Sequence, residues 1–436
     1  MPQFLDCSDS DFEMRFTALL EAKREDSPDV DDAVARIIAD VRARGDAAVI
    51  ELTERYDRMA LSPDQLRLKS GEIAEAIDHV GSEDRAALEL AAERITAYHE
   101  RQRPTDESWT DEAGATLGWR WTPVSAAGLY VPGGLASYPS SVLMNAIPAK
   151  VAGVSRLAIT VPTPDGQLNP LVLLAAHLSG VDEIYRIGGA QAIAALAYGT
   201  ETVAPVDKIT GPGNAFVAAA KRRVFGKVGI DMIAGPSEIL VIADAVNDPD
   251  WIALDLLSQA EHDESAQSIL VTDDAAFGRA VMDAVDKRLE NLERRAIAGP
   301  SWRDFGAVIV VSDLEQAARI SDRIAPEHLE LCVADPESLC ARITHAGAIF
   351  LGQWTPEAIG DYVGGPNHVL PTARSARFSS GLSVLDFMKR TTLACMTPSA
   401  LSEIGASAER LARAESLEAH GLSVAVRLAR LNAMRG

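Results

Sequence analysis

The sequence is poor in cysteine and lacks any excess of positive charge. Its 436 residues include four cysteines, Cys7, Cys332, Cys340 and Cys395, and no two of them form a CxxC pair of the kind that binds metals. We therefore expect reduced thiols, as in a cytoplasmic protein. Lysine and arginine number 41 against 63 acidic residues, which gives a formal net charge of −22. This balance argues against nucleic-acid and anionic-membrane partners, because both attract basic surfaces.

The sequence also lacks long hydrophobic runs, repeats and low-complexity segments. No apolar run approaches the roughly 20 residues that span a bilayer. The first residues carry Asp6, Asp9, Asp11 and Glu13, a composition unlike that of a secretory signal peptide. A hydrophobic content of 47% nevertheless excludes wholesale disorder. These features predict a soluble protein that is long enough to hold more than one packed domain.

Helical periodicity at both ends of the chain encloses a middle with a different pattern. Residues 10–104 show apolar side chains at three-to-four spacing, and residues 398–436 do so again. Between them, β-branched runs alternate with helical stretches. The predicted strands are Gly128–Val131, Leu157–Val161, Glu183–Ile187, Ile239–Ala243, Ser268–Thr272, Ala307–Val311 and Ala348–Leu351. Such alternation is typical of parallel α/β sheets, and the number of strands favours two of them.

Three glycine-rich turns adjoin predicted strands in the middle of the chain. They cover residues 130–134, 187–191 and 210–214, and they include Tyr130, Gln191 and Asn214. Backbone N–H groups at such helix starts suit phosphate. The strict dinucleotide fingerprint is absent, because its third glycine position is occupied by Phe216. Both a nucleotide cleft and a set of ordinary tight turns therefore stay open as interpretations.

A helix that begins at Asp248 and Pro249 places polar groups on an apolar stripe. Asp248 suits the N-cap and Pro249 the first helical turn. Gln259 follows the inward-facing residue Ile252 by seven positions, and His262 lies three residues further on, within reach of the same point. A buried glutamine amide needs a partner. That partner is either the backbone or a ligand shared with His262.

Four further motifs combine residue types that can carry chemistry. They are Ser237 after a Gly-Pro turn, the pair Glu327-His328 after a helix, Asp361 and His368 in the glycine-rich loop 360–368, and Glu415 with His420 in the C-terminal tail. Histidine is the side chain best suited to move protons near neutral pH. We expect the Glu-His pair to lie in a loop, and a helix break would let both tail residues reach one site. Alone, each motif is also compatible with a solvated turn or a surface pair.

Together these motifs resemble the histidinol dehydrogenase family, zinc- and NAD-dependent enzymes of the last two steps of histidine biosynthesis. The resemblance runs from about residue 30 to residue 430. Its most specific segments are Ser258-Gln-Ala-Glu-His262, Ala325-Pro-Glu-His-Leu-Glu330, Gly365-Pro-Asn-His-Val-Leu-Pro371 and Leu417-Glu-Ala-His420. Their number and order make chance an unattractive explanation.

The resemblance implies a role for each residue that was singled out. Zinc would be held by Gln259, His262, Asp361 and His420. Histidinol would contact Ser237, His368 and Glu415, together with the four zinc ligands and His328. NAD would contact Tyr130, Gln191 and Asn214. Glu327 and His328 would form the acid–base pair.

The resemblance also implies the reaction and the organisation of the chain. L-Histidinol would be oxidised by NAD through L-histidinaldehyde to L-histidine, with zinc as an anchor for substrate, His328 as the base and Glu327 as the activator of water. We expect two Rossmann-like parallel-sheet domains with helical N- and C-terminal segments, in a cytoplasmic homodimer. The expected boundaries are 1–27 for an N-terminal helical segment, 28–125 with 240–375 for the domain that carries zinc and the acid–base pair, 126–239 for the NAD domain, and 376–436 for a tail that reaches the partner subunit.

Three alternatives follow from the same residues. An oxidation that proceeds through a thiohemiacetal would need a cysteine. Cys332 is the cysteine that lies near a motif, four residues after His328, but we interpret it as a core residue. A related zinc- and NAD-dependent enzyme could act on another small charged diol, although Glu415 suits a cationic amine and would repel a sulfonate. A non-catalytic metal- and nucleotide-binding protein is less compatible with the pair Glu327-His328.

Overall fold

The computed structural model describes residues 2–21, 28–133, 138–233 and 235–435. The end of the predicted N-terminal segment, residues 22–27, and residue 134 of the first glycine-rich turn lie outside this part of the chain. The chain forms two compact units. Unit 1 comprises Met1–Gln102 and Ser125–Phe387, and unit 2 comprises Arg103–Val124 and Met388–Gly436.

The strands and helices alternate through most of unit 1. The strands are β1 (Gln3–Asp6), β2 (Glu107–Thr110), β3 (Thr116–Pro123), β4 (Ala126–Tyr130), β5 (Arg156–Thr160), β6 (Glu183–Tyr185), β7 (Lys208–Thr210), β8 (Gly229–Ile230), β9 (Glu238–Ala243), β10 (Gln267–Thr272), β11 (Ala307–Val310), β12 (His328–Cys332), β13 (Ala348–Leu351) and β14 (Met388–Cys395). The helices are α1 (Phe12–Glu21), α2 (Pro28–Arg44), α3 (Asp46–Asp57), α4 (Ser70–Asp78), α5 (Ser82–Glu100), α6 (Pro139–Ala152), α7 (Pro170–Leu178), α8 (Gly189–Tyr198), α9 (Ala215–Val224), α10 (Pro249–Ala260), α11 (Ala275–Leu289), α12 (Arg295–Phe305), α13 (Leu314–Ile324), α14 (Pro336–Cys340), α15 (Glu357–Tyr362), α16 (Pro398–Ala414) and α17 (Glu418–Arg435).

A six-stranded parallel sheet forms one centre of unit 1, in the order β1-β11-β10-β9-β12-β13. Successive residues of β9 point to opposite faces, as strand geometry requires. Leu240 and Ile242 pack with residues of α1 and α13, whereas Ile239 and Val241 pack with residues of α10, α11 and α12. Helices therefore cover both faces, and this explains why the residues of the inner strands β9, β10, β11 and β12 are buried on both sides of the sheet.

A five-stranded parallel sheet forms the second centre of unit 1, in the order β6-β5-β4-β7-β8. Its core includes side chains from α2, α3, α8 and α9. The two sheets confirm the predicted α/β class with parallel sheets, and all seven predicted strands are present with ends shifted by no more than two residues. The short strands β1, β7 and β8 were not among these seven. Strand β12, which begins at His328, was not among them either.

The N-terminal helices pack on the five-stranded sheet. Helices α2 and α3 contact α8, α2 also contacts α9, and α4 and α5 contact α7. This packing differs from the expected domain boundaries, which grouped residues 28–125 with the other sheet. The expected N-terminal helical segment 1–27 contains α1, and it also contains β1, which pairs with β11. A helical pattern predicts that a helix has a buried face, but it does not indicate which sheet covers that face.

Unit 2 joins two segments that are distant in sequence. Strands β14, β3 and β2 form an antiparallel sheet, in which Arg390 pairs with Trp121. Helices α16 and α17 pack against each other and confirm the predicted helical C-terminus. The three strands were not predicted. In the described part of the chain, no helix is both long and apolar enough to cross a membrane.

Candidate active site

The pair Glu327-His328 lies at the amino-terminal start of β12, between β9 and β13. Helix α13 ends at Ala325, whose φ of 47° lies in the left-handed region and turns the chain toward the sheet. The prediction of a loop holds for Glu327, but His328 is already the first residue of the strand. Both side chains are buried, with 6% and 4% exposure. The pair is therefore part of the sheet core and not of its surface.

His328 is fixed in one tautomer. Its Nδ1 lies 3.0 Å from the carbonyl oxygen of Glu238, and a carbonyl can only accept, so Nδ1 carries the proton. Among the described residues, the buried Nε2 has no hydrogen-bond partner, and it lies 3.5 Å from Oε1 of Glu357, which has none there either. A lone pair held at a buried nitrogen is the arrangement that a general base needs.

Glu327 is held by the same strand. Its Oε2 accepts from the backbone N–H of Glu238 at 2.9 Å and lies 3.6 Å from Nδ1 of His328. Burial raises the pKa of Glu327 to about 8, although His328 and the N–H of Glu238 act in the opposite direction. A carboxyl group whose pKa lies near neutral pH is well suited to proton transfer.

A set of nitrogen and oxygen donors adjoins this pair. Gln259 is fully buried, as its place on the apolar stripe predicts, and its Oε1 has no hydrogen-bond partner. Its Nε2 lies 3.4 Å from Nδ1 of His262. Burial lowers the pKa of His262, the nearby histidines lower it further, and Asp361 opposes them. The predicted neighbours Gln259 and His262 therefore share one point, with Asp361 close enough to act on the imidazole.

Asp361 and His368 contact each other, but Asp361 lies in helix α15 and not in the predicted glycine-rich loop, which begins after this helix. Nδ1 of His368 lies 3.1 Å from the backbone oxygen of Asp361 and 3.6 Å from its Oδ1. Burial alone would raise the pKa of Asp361, but the imidazole of His368 outweighs it and holds the pKa below its ordinary value. Asp361 therefore presents an ionised carboxylate to the site.

The donor set fits a divalent cation. An orphaned amide oxygen, a neutral imidazole and a carboxylate are ligands that zinc accepts, and Gln259 would otherwise leave a buried polar atom unsatisfied. One ligand atom each of His328, Glu357 and Asp361 also lie within 4.8 Å of one another. Asp361 belongs both to this group and to the predicted zinc ligands, so the described residues of unit 1 contain two overlapping sets of candidate ligands.

Ser237 and His368 lie beside these groups. Ser237 directly precedes β9, and its backbone oxygen accepts from Gln267 at 2.9 Å. Asn367, next to His368, donates to the backbone oxygen of Met144 and faces Nε2 of His99 at 3.3 Å. This buried amide anchors the loop that presents His368.

The three predicted cofactor residues lie at turns of the five-stranded sheet. Tyr130 ends β4, and its hydroxyl accepts from the N–H of Gly189 at 3.1 Å. Gln191 is buried in the first turn of α8. Asn214 caps α9, because its Oδ1 accepts from two backbone N–H groups at 3.1 and 3.2 Å. All three follow the carboxyl ends of parallel strands, where α/β sheets bind ligands.

One of these turns requires glycine. Gly211 has a φ of 112°, and a Cβ at this position would collide with the backbone oxygen of Tyr130. Two hydrogen bonds fix the turn. The N–H of Gly211 donates to Asp231 at 2.8 Å, and the carbonyl oxygen of Gly211 accepts from Lys221 at 2.9 Å. Lys221 and Asp231 themselves form a buried ion pair. The close approach of two strand ends, and not a phosphate alone, thus explains this glycine.

Glu415 and His420 belong to unit 2 and are exposed there. Helix α16 ends at Ala414, Ser416 has a φ of 61°, and α17 begins at Glu418. The helix break that the sequence interpretation required is therefore present. Both residues are available at the surface of this unit.

Cys332 is buried in β12, and its Sγ lies 4.0 Å from Oε2 of Glu330. Burial and the neighbouring carboxyl groups raise the pKa of its thiol, which disfavours the nucleophilic thiolate. This supports the interpretation as core packing. The residues missed by the sequence interpretation are Glu238 and Glu357, and the one signal for Glu357 was its place four residues before Asp361.

Comparisons with known proteins agree on one family. The family model for histidinol dehydrogenase matches residues 20–428. The histidinol dehydrogenase of Ruegeria pomeroyi is 82% identical over 99% of this chain and 100% of its own length, and that of Cereibacter sphaeroides is 77% identical with the same coverage. The crystal structure of histidinol dehydrogenase from Elizabethkingia anophelis matches with a TM-score of 0.94 and 37% identity over 99% of both chains.

Proposed function

The chain belongs to the histidinol dehydrogenase family of NAD-dependent oxidoreductases, and from this premise we propose how its own residues carry out the oxidation of L-histidinol to L-histidine. The relatives support the family resemblance drawn from the sequence. They give no support to the rival interpretation of an enzyme for another small charged diol.

The observation that carries the proposal is the bare Nε2 of His328. With Nδ1 held by the carbonyl of Glu238, Nε2 accepts the proton of the substrate hydroxyl. Each of the two oxidations removes one hydroxyl proton, first from the alcohol and then from the hydrate of the aldehyde. NAD, when bound, supplies the acceptor for the hydride that leaves the same carbon each time. His328 therefore serves both steps.

Glu327 acts between the two oxidations. The aldehyde must add water to become a hydrate, and Glu327 takes the proton from that water. Its pKa of about 8 makes the ionised form a strong enough base while a useful fraction of it exists near neutral pH. The backbone N–H of Glu238 orients the carboxylate for this role.

We assign the metal site to Gln259, His262 and Asp361 of one subunit with His420 of a tail. Zinc, when bound, supplies a Lewis-acidic anchor for the nitrogen atoms of the substrate. The orphaned Oε1 of Gln259 supports this assignment. Ser237, His368 and Glu415 hold the remaining groups of histidinol, and the carboxylate of Glu415 pairs with its cationic amine.

NAD is assigned to the turns at Tyr130, Gln191 and Asn214. The amino-terminal ends of α8 and α9 suit its phosphates, because the helix dipole favours negative charge there. The tail, residues 376–436, reaches the partner subunit, so that a two-fold homodimer holds two composite sites. The exposure of Glu415 and His420 on unit 2 supports this exchange. We further propose that the enzyme works in the cytoplasm, where its four thiols would stay reduced.

One assay tests the proposed substrate. NADH absorbance is followed with L-histidinol as sole substrate, and a sulfonated diol of similar size serves as the comparison. We expect two NADH per histidinol and L-histidine as the product. Turnover of the sulfonated diol with none of histidinol would overturn the assignment.

A further inference from the structure

Two acidic side chains meet in the interior behind the candidate active site. Asp255 on α10 and Glu330 in β12 bring carboxyl oxygen atoms within 4.8 Å of each other, and Glu330 is 1% exposed. Two ionised carboxylates at this separation would repel each other strongly, so the pair holds one proton between them. Burial raises the pKa of Asp255 to about 6, and it raises that of Glu330 well above its ordinary value.

The pair also reaches a third element. Oε1 of Glu330 accepts from the backbone N–H of Glu357, the first residue of α15, at 2.6 Å. From α10, the hydroxyl of Ser258 is 3.2 Å from Oε2 of Glu357 and 2.8 Å from the backbone oxygen of Asp255. Helix α10, strand β12 and helix α15 are thus joined at one polar point inside an apolar layer.

These three elements carry the groups assigned to the metal site and to proton transfer. Gln259 follows Asp255 by one helical turn, so both lie on the same side of α10. His328 lies two residues before Glu330 on the same face of β12. Asp361 lies one turn after Glu357 in α15. A displacement of any one element would separate the ligands.

We propose that the shared-proton pair Asp255–Glu330 is a positioning unit, which holds α10, β12 and α15 in the alignment that the metal ligands require. The inference rests on the proposed metal site. Asp255, Glu330 and Cys332 bring ligand atoms within 4.8 Å of one another, but burial raises the pKa of the Cys332 thiol and disfavours the thiolate that a metal would need, so we assign the pair to positioning. Residues behind metal ligands commonly change metal affinity about 10- to 100-fold.

The test compares zinc affinity among folded variants. Asp255→Ala removes the shared hydrogen bond, and Asp255→Asn keeps both the bond and the charge of −1, since its amide donates to the Glu330 carboxylate. Glu330→Gln does the same from the other side. We expect Asp255→Ala to bind zinc about 10- to 100-fold more weakly in competition with a chromogenic chelator, and both amide variants to stay within about threefold of the wild type.

Ser268→Ala is the matched control. Ser268 also ties α10 to the sheet, since its hydroxyl donates to the backbone oxygen of Leu256 at 2.6 Å, but it does not contact the pair. It should lower the melting temperature without weakening zinc binding. If Asp255→Ala does not fold by circular dichroism, Asp255→Ser, whose hydroxyl is too short to reach Glu330, takes its place.

The outcomes separate the two proposals. If the wild type binds no zinc, the proposed metal site fails. If the wild type binds zinc and the Asp255→Ala or Asp255→Ser protein binds it equally well, the positioning inference alone fails. Equal weakening by Asp255→Asn would also overturn it, because that variant keeps the hydrogen bond between the two side chains. Equal weakening by Ser268→Ala would overturn it too, because general destabilisation would then explain the loss.

Discussion

His328 donates through Nδ1 to the carbonyl oxygen of Glu238 over 3.0 Å, and this one contact determines which ring nitrogen can act as a base. His328→Asn should therefore depress the histidinol and the histidinaldehyde half-reactions alike, by about 10²- to 10⁴-fold.

Glu327→Gln should depress the aldehyde half-reaction more strongly than the histidinol half-reaction, since only the aldehyde step needs water. In the wild type, that half-reaction should rise with pH through about 8 as Glu327 ionises.

Separate supply of histidinol and histidinaldehyde checks this division of roles. The Glu327→Gln variant should lose the rise near pH 8 and keep the first oxidation. Equal losses on both substrates for Glu327→Gln would contradict the role of Glu327 in water activation.

Metal removal should separate activity from folding. Prolonged chelation should abolish turnover and leave most of the helicity in circular dichroism, because apolar packing on both faces of the six-stranded sheet holds the helices in place without a metal. Added zinc should restore activity. A metal-free protein that oxidises histidinol at the normal rate would refute the metal assignment.

Lys221→Met should weaken both stability and cofactor use. It leaves Asp231 as an uncompensated buried charge, which costs about 3–5 kcal/mol. It also frees the turn at Gly211, so we expect the KM for NAD to rise while the KM for histidinol changes little. Arg223→Gln is the control, because Arg223 lies on the same helix as Lys221 but forms its ion pair at the surface, with Asp31 of α2. Surface ion pairs contribute about 0–1 kcal/mol to stability. Similar changes in both variants would contradict the prediction.

His99 should make the stability depend on pH. It is buried and neutral, with Nδ1 donating to the Ile95 carbonyl at 2.7 Å, and burial lowers its pKa below the ordinary value of 6.5. As the pH falls below about 6.5, the unfolded chain takes up a proton that the native His99 does not. The free energy of unfolding therefore falls with pH until the native pKa is reached.

Urea unfolding between pH 7 and 5 measures this dependence. His99→Gln can donate to Ile95 and accept from Asn367 without titrating, so it should be less stable at pH 7 but show a shallower decline toward pH 5. An unchanged slope in His99→Gln would show that other groups account for the acid sensitivity.

Mixed dimers should reveal whether the tails are exchanged. We expect His328→Asn and His420→Asn each to be inactive alone. After unfolding and refolding together, an exchanged-tail dimer gathers both lesions in one site and leaves the other intact, so roughly a quarter of the activity should return at statistical mixing. His328→Asn mixed with Asp361→Asn is the control that should stay inactive. No recovery with heterodimers shown to have formed would refute the exchange.

The spacing of apolar residues within a few positions was sufficient to predict the apolar strands and helices of this fold. The strand at Ile239–Ala243 and the buried position of Gln259 both follow from residues a few positions apart. Strand β12 was harder, because Glu330 and His328 place polar groups in a central strand. Their burial makes sense only with Asp255 and Glu238, which come from elements far away in sequence. Glu357 was missed for the same reason.

The pairing of strands from distant segments could not be predicted from the sequence. Strand β14 is exposed along most of its length and β3 is mostly half-buried, and neither contains an apolar run that could mark it. Likewise, the helices before residue 102 show which of their faces is apolar but not which sheet covers it. A prediction from one sequence therefore describes elements better than it describes their partners.

The pairing of Trp121 with Arg390 has a consequence for synthesis of the protein. The two residues are 269 positions apart, from 390 − 121. At about 5–20 residues per second, β3 leaves the ribosome roughly 13–54 seconds before its partner strand exists. During that interval only the short strand β2 can cover it, on one edge. The nascent chain must therefore carry an open strand edge for most of its translation, and a premature stop before residue 388 would leave that edge permanently available to other chains.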